Sequence, residues 1–112
     1  MSRAREIRSA VLDCAREAVL KDRAATHGAP EDTFGMLAAL WSVRLNMMIT
    51  PAQVAIMLID LKTARAWENP GHDDNWVDMA GYAACGASLA DADRQVKPHD
   101  GVSVAVLMEG DA

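Results

Sequence analysis

A chain of 112 residues, 51% hydrophobic and 24% charged, suits one globular domain with a real core, though one small enough to gain from oligomerisation. Its net charge of −5 is unevenly placed: residues 1–26 hold six of the eleven Lys and Arg, and the remainder holds twelve of the sixteen acids. An acidic body argues against DNA binding through phosphates, two lone cysteines exclude a disulfide or zinc framework, and no apolar run reaches the ~18 residues of a membrane span.

Frequent Ala and Met against only 4% aromatic residues bias the chain towards helix. The reading is all-α: a four-helix, bundle-like single domain over residues 1–92, then a linker and tail over 93–112. The first helix is expected over residues 3–23, where Ile7, Ala10, Val11, Cys14 and Ala18 recur at helical spacing. "THGAP" ends it. The second starts at about Pro30, with Glu31 and Asp32 suited to the positive end of the dipole. Its apolar stripe is Phe34, Leu37, Trp41, Leu45 and Met48. The Met-rich "LNMMIT" that closes it reads as core or dimer interface.

"TPAQ" is a capping box for the third helix, with Thr50 as N-cap, Pro51 at the first position and Gln53 three residues on. "VAIMLI" is apolar all round, so this helix is expected to be the central, most buried one. It runs to about Trp67 and stops at "NPG". The fourth is expected from Asp73 or Asp74 to about Ala90. Trp76, Ala80, Ala83 and Ala87 form its expected packed face. Gly81 and Gly86 signal close approach of a neighbour or a ligand. "VSVAVLM" in the tail has the composition of a short strand.

The chemistry-bearing residues concentrate at the third and fourth helices. Asp74 and Asp78 are four apart and share a helical face with Tyr82 and Cys85. Two carboxylates so spaced can share a hard cation such as Mg²⁺. An N-cap or dipole role accounts equally for Asp74, and for Asp73 better still. Lys62 and Arg65, three apart at the end of the third helix, suit phosphate oxygens: Arg by its fork, Lys as a point charge. They also suit a salt-bridge network with the two aspartates. A gap between the pairs makes a site, and direct contact makes a structural bridge. Around the Gly-Pro turn, Arg23 and His27 are further candidate ligand contacts, with a helix-capping role as His27's competing explanation. Glu31 is a candidate third metal ligand, and a dipole partner otherwise.

In chain order "RAATHGAPEDTF", "LWS", "ITPAQVAIMLIDLKTAR" and "HDDNWVDMAGYAA" resemble a small family of tailed phages and prophages, over residues 20–90. That family is in turn distantly similar to the MazG-type all-α nucleotide pyrophosphohydrolases. The resemblance implies a helical homodimer or higher oligomer, Mg²⁺ on helix-borne carboxylates, and nucleoside triphosphates as ligands. Asp74 and Asp78, with Asn75, correspond to the later acidic motif of those enzymes. Their earlier E-x-x-E has no counterpart, since Glu31 and Asp32 are adjacent. On the enzymatic reading Asp74 and Asp78 carry catalysis through the metal, and Lys62, Arg65, His27, Tyr82 and Arg23 hold the ligand. The alternative is a non-catalytic phage accessory protein that sequesters a nucleotide or binds a host protein. Either would act in the bacterial cytoplasm.

Overall fold

The computed structural model describes residues 2–22 and 29–100. Four helices follow in chain order: α1 (Arg3–Glu17), continued by a π-helical stretch (Ala18–Asp22), then α2 (Pro30–Leu45), α3 (Pro51–Glu68) and α4 (Asp73–Asp100). No strand occurs among the described residues, so the all-α expectation holds. The tail segment "VSVAVLM" lies outside them, as do Arg23 and His27.

Each helix begins on a local signal. The Ser2 hydroxyl accepts from the Arg5 amide at 3.2 Å and caps α1. Ala29 precedes α2 without a side-chain cap, and Pro30 supplies the first turn. The capping box of α3 forms as its sequence predicts. The Thr50 hydroxyl accepts from Gln53 N at 3.2 Å, and Thr50 N donates to the Gln53 carbonyl at 2.8 Å.

The α2–α3 connection is tied by one serine. Ser42 Oγ accepts from Ile49 N at 2.9 Å and donates to Ile49 O at 3.3 Å. Asn46 ends α2 in the left-handed region at φ 52°, which asparagine tolerates better than most residues. Ile49 is thereby folded into the core.

The core joins Phe34 and Ala38 of α2, Ile49, Val54 and Ala55 of α3, and Cys85 and Leu89 of α4. The closest pairing is α3 with α4, and α1 lies against α4. A Cβ on Gly86 would stand 3.1 Å from the Ala55 Cβ, and one on Gly81 3.2 Å from Val19 Cγ1. The two glycines thus serve neighbouring helices rather than a ligand.

Three expectations need correction. The packed face of α4 is not that of Trp76, Ala80, Ala83 and Ala87. Trp76, Ala83 and Ala87 are exposed, while Asn75, Gly81, Cys85 and Leu89 are buried. The glycines decide this, because the face that lets a neighbour nearest packs best. The face of Asp78, Tyr82 and Cys85 is therefore the inward one. Second, α3 is not buried all round: Val54 and Ala55 are fully enclosed, but Ile56, Met57 and Leu61 are exposed. Likewise Phe34, Leu37 and Trp41 pack on α2's inner side, whereas Leu45 and Met48 do not. Third, α4 continues ten residues beyond Ala90, into the segment read as linker. Residues 91–97 contain no Gly or Pro to stop it, and Asp91 and Arg94 pair across one turn at 3.2 Å.

Candidate functional site

Where α3 gives way to α4 the chain reverses over residues 69–72. The Asn69 amide donates to Arg65 O, and the His72 amide to Asn69 O at 3.1 Å. The Trp76 indole N–H donates to Pro70 O at 2.9 Å and fixes the start of α4 against the turn. This reversal brings the basic end of α3 beside the acidic start of α4.

Between them lies an open cleft of about 610 Å³. Lys62, Arg65, Glu68 and Asn69 line it from α3 and its end; His72, Asp74, Asn75 and Asp78 line it from the turn and α4. Four of the residues singled out in the sequence, Lys62, Arg65, Asp74 and Asp78, therefore do meet in one place. Tyr82 and Glu31 do not join them, and Arg23 and His27 lie outside the described residues. Tyr82 stacks on Phe34 at the edge of the core, ring centroids 6.1 Å apart and planes at 52°. Glu31 is exposed in the first turn of α2 and does not line the cleft.

Within the cleft the two charged pairs behave differently. Lys62 Nζ touches Asp78 Oδ2 at 2.8 Å, with the side chains 14% and 31% exposed. This is direct contact between α3 and α4. It meets the condition stated above for a structural bridge. Removing one partner leaves the other half-buried and uncompensated, at a cost of about 1–3 kcal/mol. Arg65, by contrast, has no ion pair among the described residues. Asp74 is turned to solvent, with Oδ2 3.7 Å from His72 Nε2.

Asn75 enters the sequence reading only beside Asp74 and Asp78 in the acidic motif, with no role of its own. It is the one polar residue buried among those described, at 6% exposure, and it lines the cleft. Its side chain makes no hydrogen bond with any described residue. None of its polar atoms is both fully enclosed and unsatisfied, so the amide opens into the cleft. Its spacing was the available signal, since Asn75 lies three before Asp78 on the same helical face.

A resident metal does not fit this donor set. No three His, Cys, Asp or Glu side chains cluster among the described residues. Asp78 is held by an ammonium, Glu31 lies elsewhere, and Asp74, exposed and 3.7 Å from His72 Nε2, is the expected ligand that remains in the cleft. Mg²⁺ with so few protein ligands is bound together with the phosphates of a substrate.

Against known proteins, the family model described as a domain of unknown function (DUF6378) matches residues 10–90. The "Gene 55 protein" of Mycobacterium phage L5 is 39% identical over 74 residues, covering 65% of this chain and 47% of its own length. The "Gene 55 protein" of Mycobacterium phage D29 is 35% identical over 75 residues, covering 67% and 50%. The chain thus spans about half the length of these curated phage relatives. No solved structure matches it. Among the described residues no helix is long and apolar enough to cross a membrane. The chain belongs to the DUF6378 family, whose function is uncharacterised and whose relatives here are phage proteins.

Proposed function

We propose that this is a phage-type accessory protein that binds a nucleotide or nucleotide-like anion in the α3–α4 cleft and does not cleave it. The observation that carries the reading is Arg65, without an ion partner among the described residues, on the α3 wall of the cleft and the Asn75 amide on its α4 wall. A guanidinium offers a fork to phosphate oxygens, and an amide reads a base or sugar edge. The Lys62–Asp78 bridge lines part of the cleft and holds the two helices in register. Asp74 stays free to meet a Mg²⁺ ion that arrives on a polyphosphate. The ligand class comes from the distant resemblance to MazG-type enzymes read in the sequence. Hydrolysis is left out of the proposal because the carboxylates at hand are too few to hold a metal alone.

The test is a thermal-shift screen with nucleoside triphosphates, deoxynucleoside triphosphates and cyclic dinucleotides, each with and without Mg²⁺. A ligand at 100 times its dissociation constant stabilises by about 2.7 kcal/mol and raises the melting temperature. The expected result is a rise that Arg65→Ala removes. No rise with any of them sinks the nucleotide reading, and release of pyrophosphate overturns its non-catalytic half.

A second reading, contact with a host protein, is favoured by one feature. On the other side of the turn Trp67 is 85% exposed and joins Pro70, Trp76 and Met79 around an apolar pocket of about 520 Å³. The proposal extends to self-association of the chain and to action in the host cytoplasm.

A further inference from the structure

Three contacts fix the register of α3 on α4. Lys62 Nζ meets Asp78 Oδ2 at 2.8 Å, Thr63 Oγ1 donates to Met79 Sδ at 3.6 Å, and the Ala55 Cβ lies 3.1 Å from where a Cβ on Gly86 would stand. Three residues further along α3 and three back along α4, almost one helical turn, Arg65 comes opposite Asn75. Three more bring Glu68 opposite His72, and all six residues line the cleft. The first of these rungs is closed by its ion pair. The second is open. Asn75 is 6% exposed, yet its side chain has no hydrogen bond to a described residue, and Arg65 has no ion pair among them. A buried amide without a protein partner is met by solvent or by a ligand.

The charges around the open rung decide how much anion it takes. Lys62 and Asp78 neutralise each other, which leaves one cation, Arg65, against two carboxylates, Glu68 and Asp74. Glu68 has no ion pair among the described residues, and Asp74 has only His72 Nε2, at 3.7 Å. The Arg65 fork and the Asn75 Nδ2–H together supply donors for one phosphate group, and Asn75 Oδ1 is left to accept from a base or sugar. Each further phosphate on the same ligand brings negative charge into a cleft with no cation left and two carboxylates to repel it. We propose that the cleft takes nucleotides carrying a single phosphate in preference to di- and triphosphates. The phosphate lies between Arg65 and Asn75, and Glu68 and Asp74 face the hydroxyl and N–H donors of the rest of the ligand. Mg²⁺ on a polyphosphate cancels part of the repulsion, so the preference is a metal-free one. It rests on the nucleotide reading above and narrows it.

The experiment is calorimetric titration of the full chain, at pH 8 in EDTA, with AMP, ADP and ATP and with GMP, GDP and GTP. The monophosphate should bind most tightly, with a loss of about tenfold or more in affinity to the triphosphate of the same base. Glu68→Gln removes one of the two carboxylates and should raise triphosphate affinity more than monophosphate affinity. Glu31→Gln, an equal change of charge away from the cleft, should leave the ratio as it is. Asn75→Asp sets a carboxylate opposite Arg65, closes the second rung as Asp78 closes the first, and should abolish binding with helical circular dichroism retained. Arg65→Ala, a change at the surface, checks the same rung independently of folding. A triphosphate that binds in EDTA as tightly as its monophosphate overturns the preference and leaves nucleotide binding standing. So does binding that survives Asn75→Asp and Arg65→Ala. If none of the six binds, the preference is overturned as well, and the wider screen above then decides whether any nucleotide binds.

Discussion

The two sides of the α3–α4 corner are built from one stretch of eighteen residues, 62–79, and have opposite chemistry. Lys62, Arg65 and Asn69 turn one way and meet Asp74, Asn75 and Asp78. Thr63, Ala66, Trp67 and Pro70 turn the other way and meet Trp76 and Met79. One side is a polar cleft lined in part by an ion pair; the other is an apolar pocket lined by an exposed indole. Helical periodicity alone divides neighbours in sequence between the two. The first is the side proposed for a nucleotide, and the second is the side proposed for an apolar protein side chain. The corner teaches that a charge-rich stretch of sequence need not be a single site.

The change expected to cost most removes both sides together. Gly86→Val places a branched side chain against Ala55, where even a lone Cβ stands at 3.1 Å. Prising α3 from α4 should cost about 2–3 kcal/mol, read from chemical denaturation. It should also abolish any ligand-induced shift.

Next is the polar side alone. Asp78→Ala strands the half-buried Lys62 ammonium and should lower stability by about 1–3 kcal/mol. Pairing Lys62→Met with Asp78→Leu should recover most of that loss, because an apolar contact replaces the bridge. If the double variant is as unstable as the single one, the pair does more than tie two helices.

The apolar side is expected to be less sensitive. Trp76→Phe loses the hydrogen bond to Pro70 O and should cost about 0.5–1.5 kcal/mol in thermal or denaturant unfolding. The cleft should keep its ligand response.

Arg65→Ala and Trp67→Ala sharpen the contrast most at the smallest cost. Both are surface changes and should alter stability by no more than about 0.5 kcal/mol. Arg65→Ala should erase the nucleotide-induced rise in melting temperature, and Trp67→Ala should leave it intact. Equal effects on that rise would dissolve the distinction between the two sides.

Much of the fold was legible because its signals are local. The capping box at Thr50, the Pro30 start and the break at "NPG" act within a few residues, and each lies where the sequence puts it, whereas α2 ends at Leu45, short of the Met48 included in its expected stripe. Four of the candidate site residues were legible for the same reason. The i,i+4 and i,i+3 spacings put Asp74 with Asp78 and Lys62 with Arg65, and the short turn brings the pairs together. The packed face of α4 was not legible. Trp76 and three alanines looked like a packing face on size and spacing, while Gly81 and Gly86 were the residues that admitted a neighbour. Asn75 was legible only as part of the acidic motif, because nothing in its identity marks it as buried. Tyr82 followed Asp74 and Asp78 on a helical wheel, but the core claimed its ring through Phe34.

The sequence by itself determined helical class, the starts of the helices and the acidic character of the body, since propensity, capping and charge act over a turn or less. Only the tertiary structure decided that Lys62 touches Asp78 while Arg65 stays open, and that α2 carries a second apolar face with nothing of the described chain over it. Those are questions of distance and burial between helices. The close approach at Ala55 and Gly86 sets the first, and no residue is near enough in sequence to announce it. For the second, α2's packing on α3 and α4 through Phe34 and Ala38 leaves Met36, Leu40 and Val43 turned to solvent.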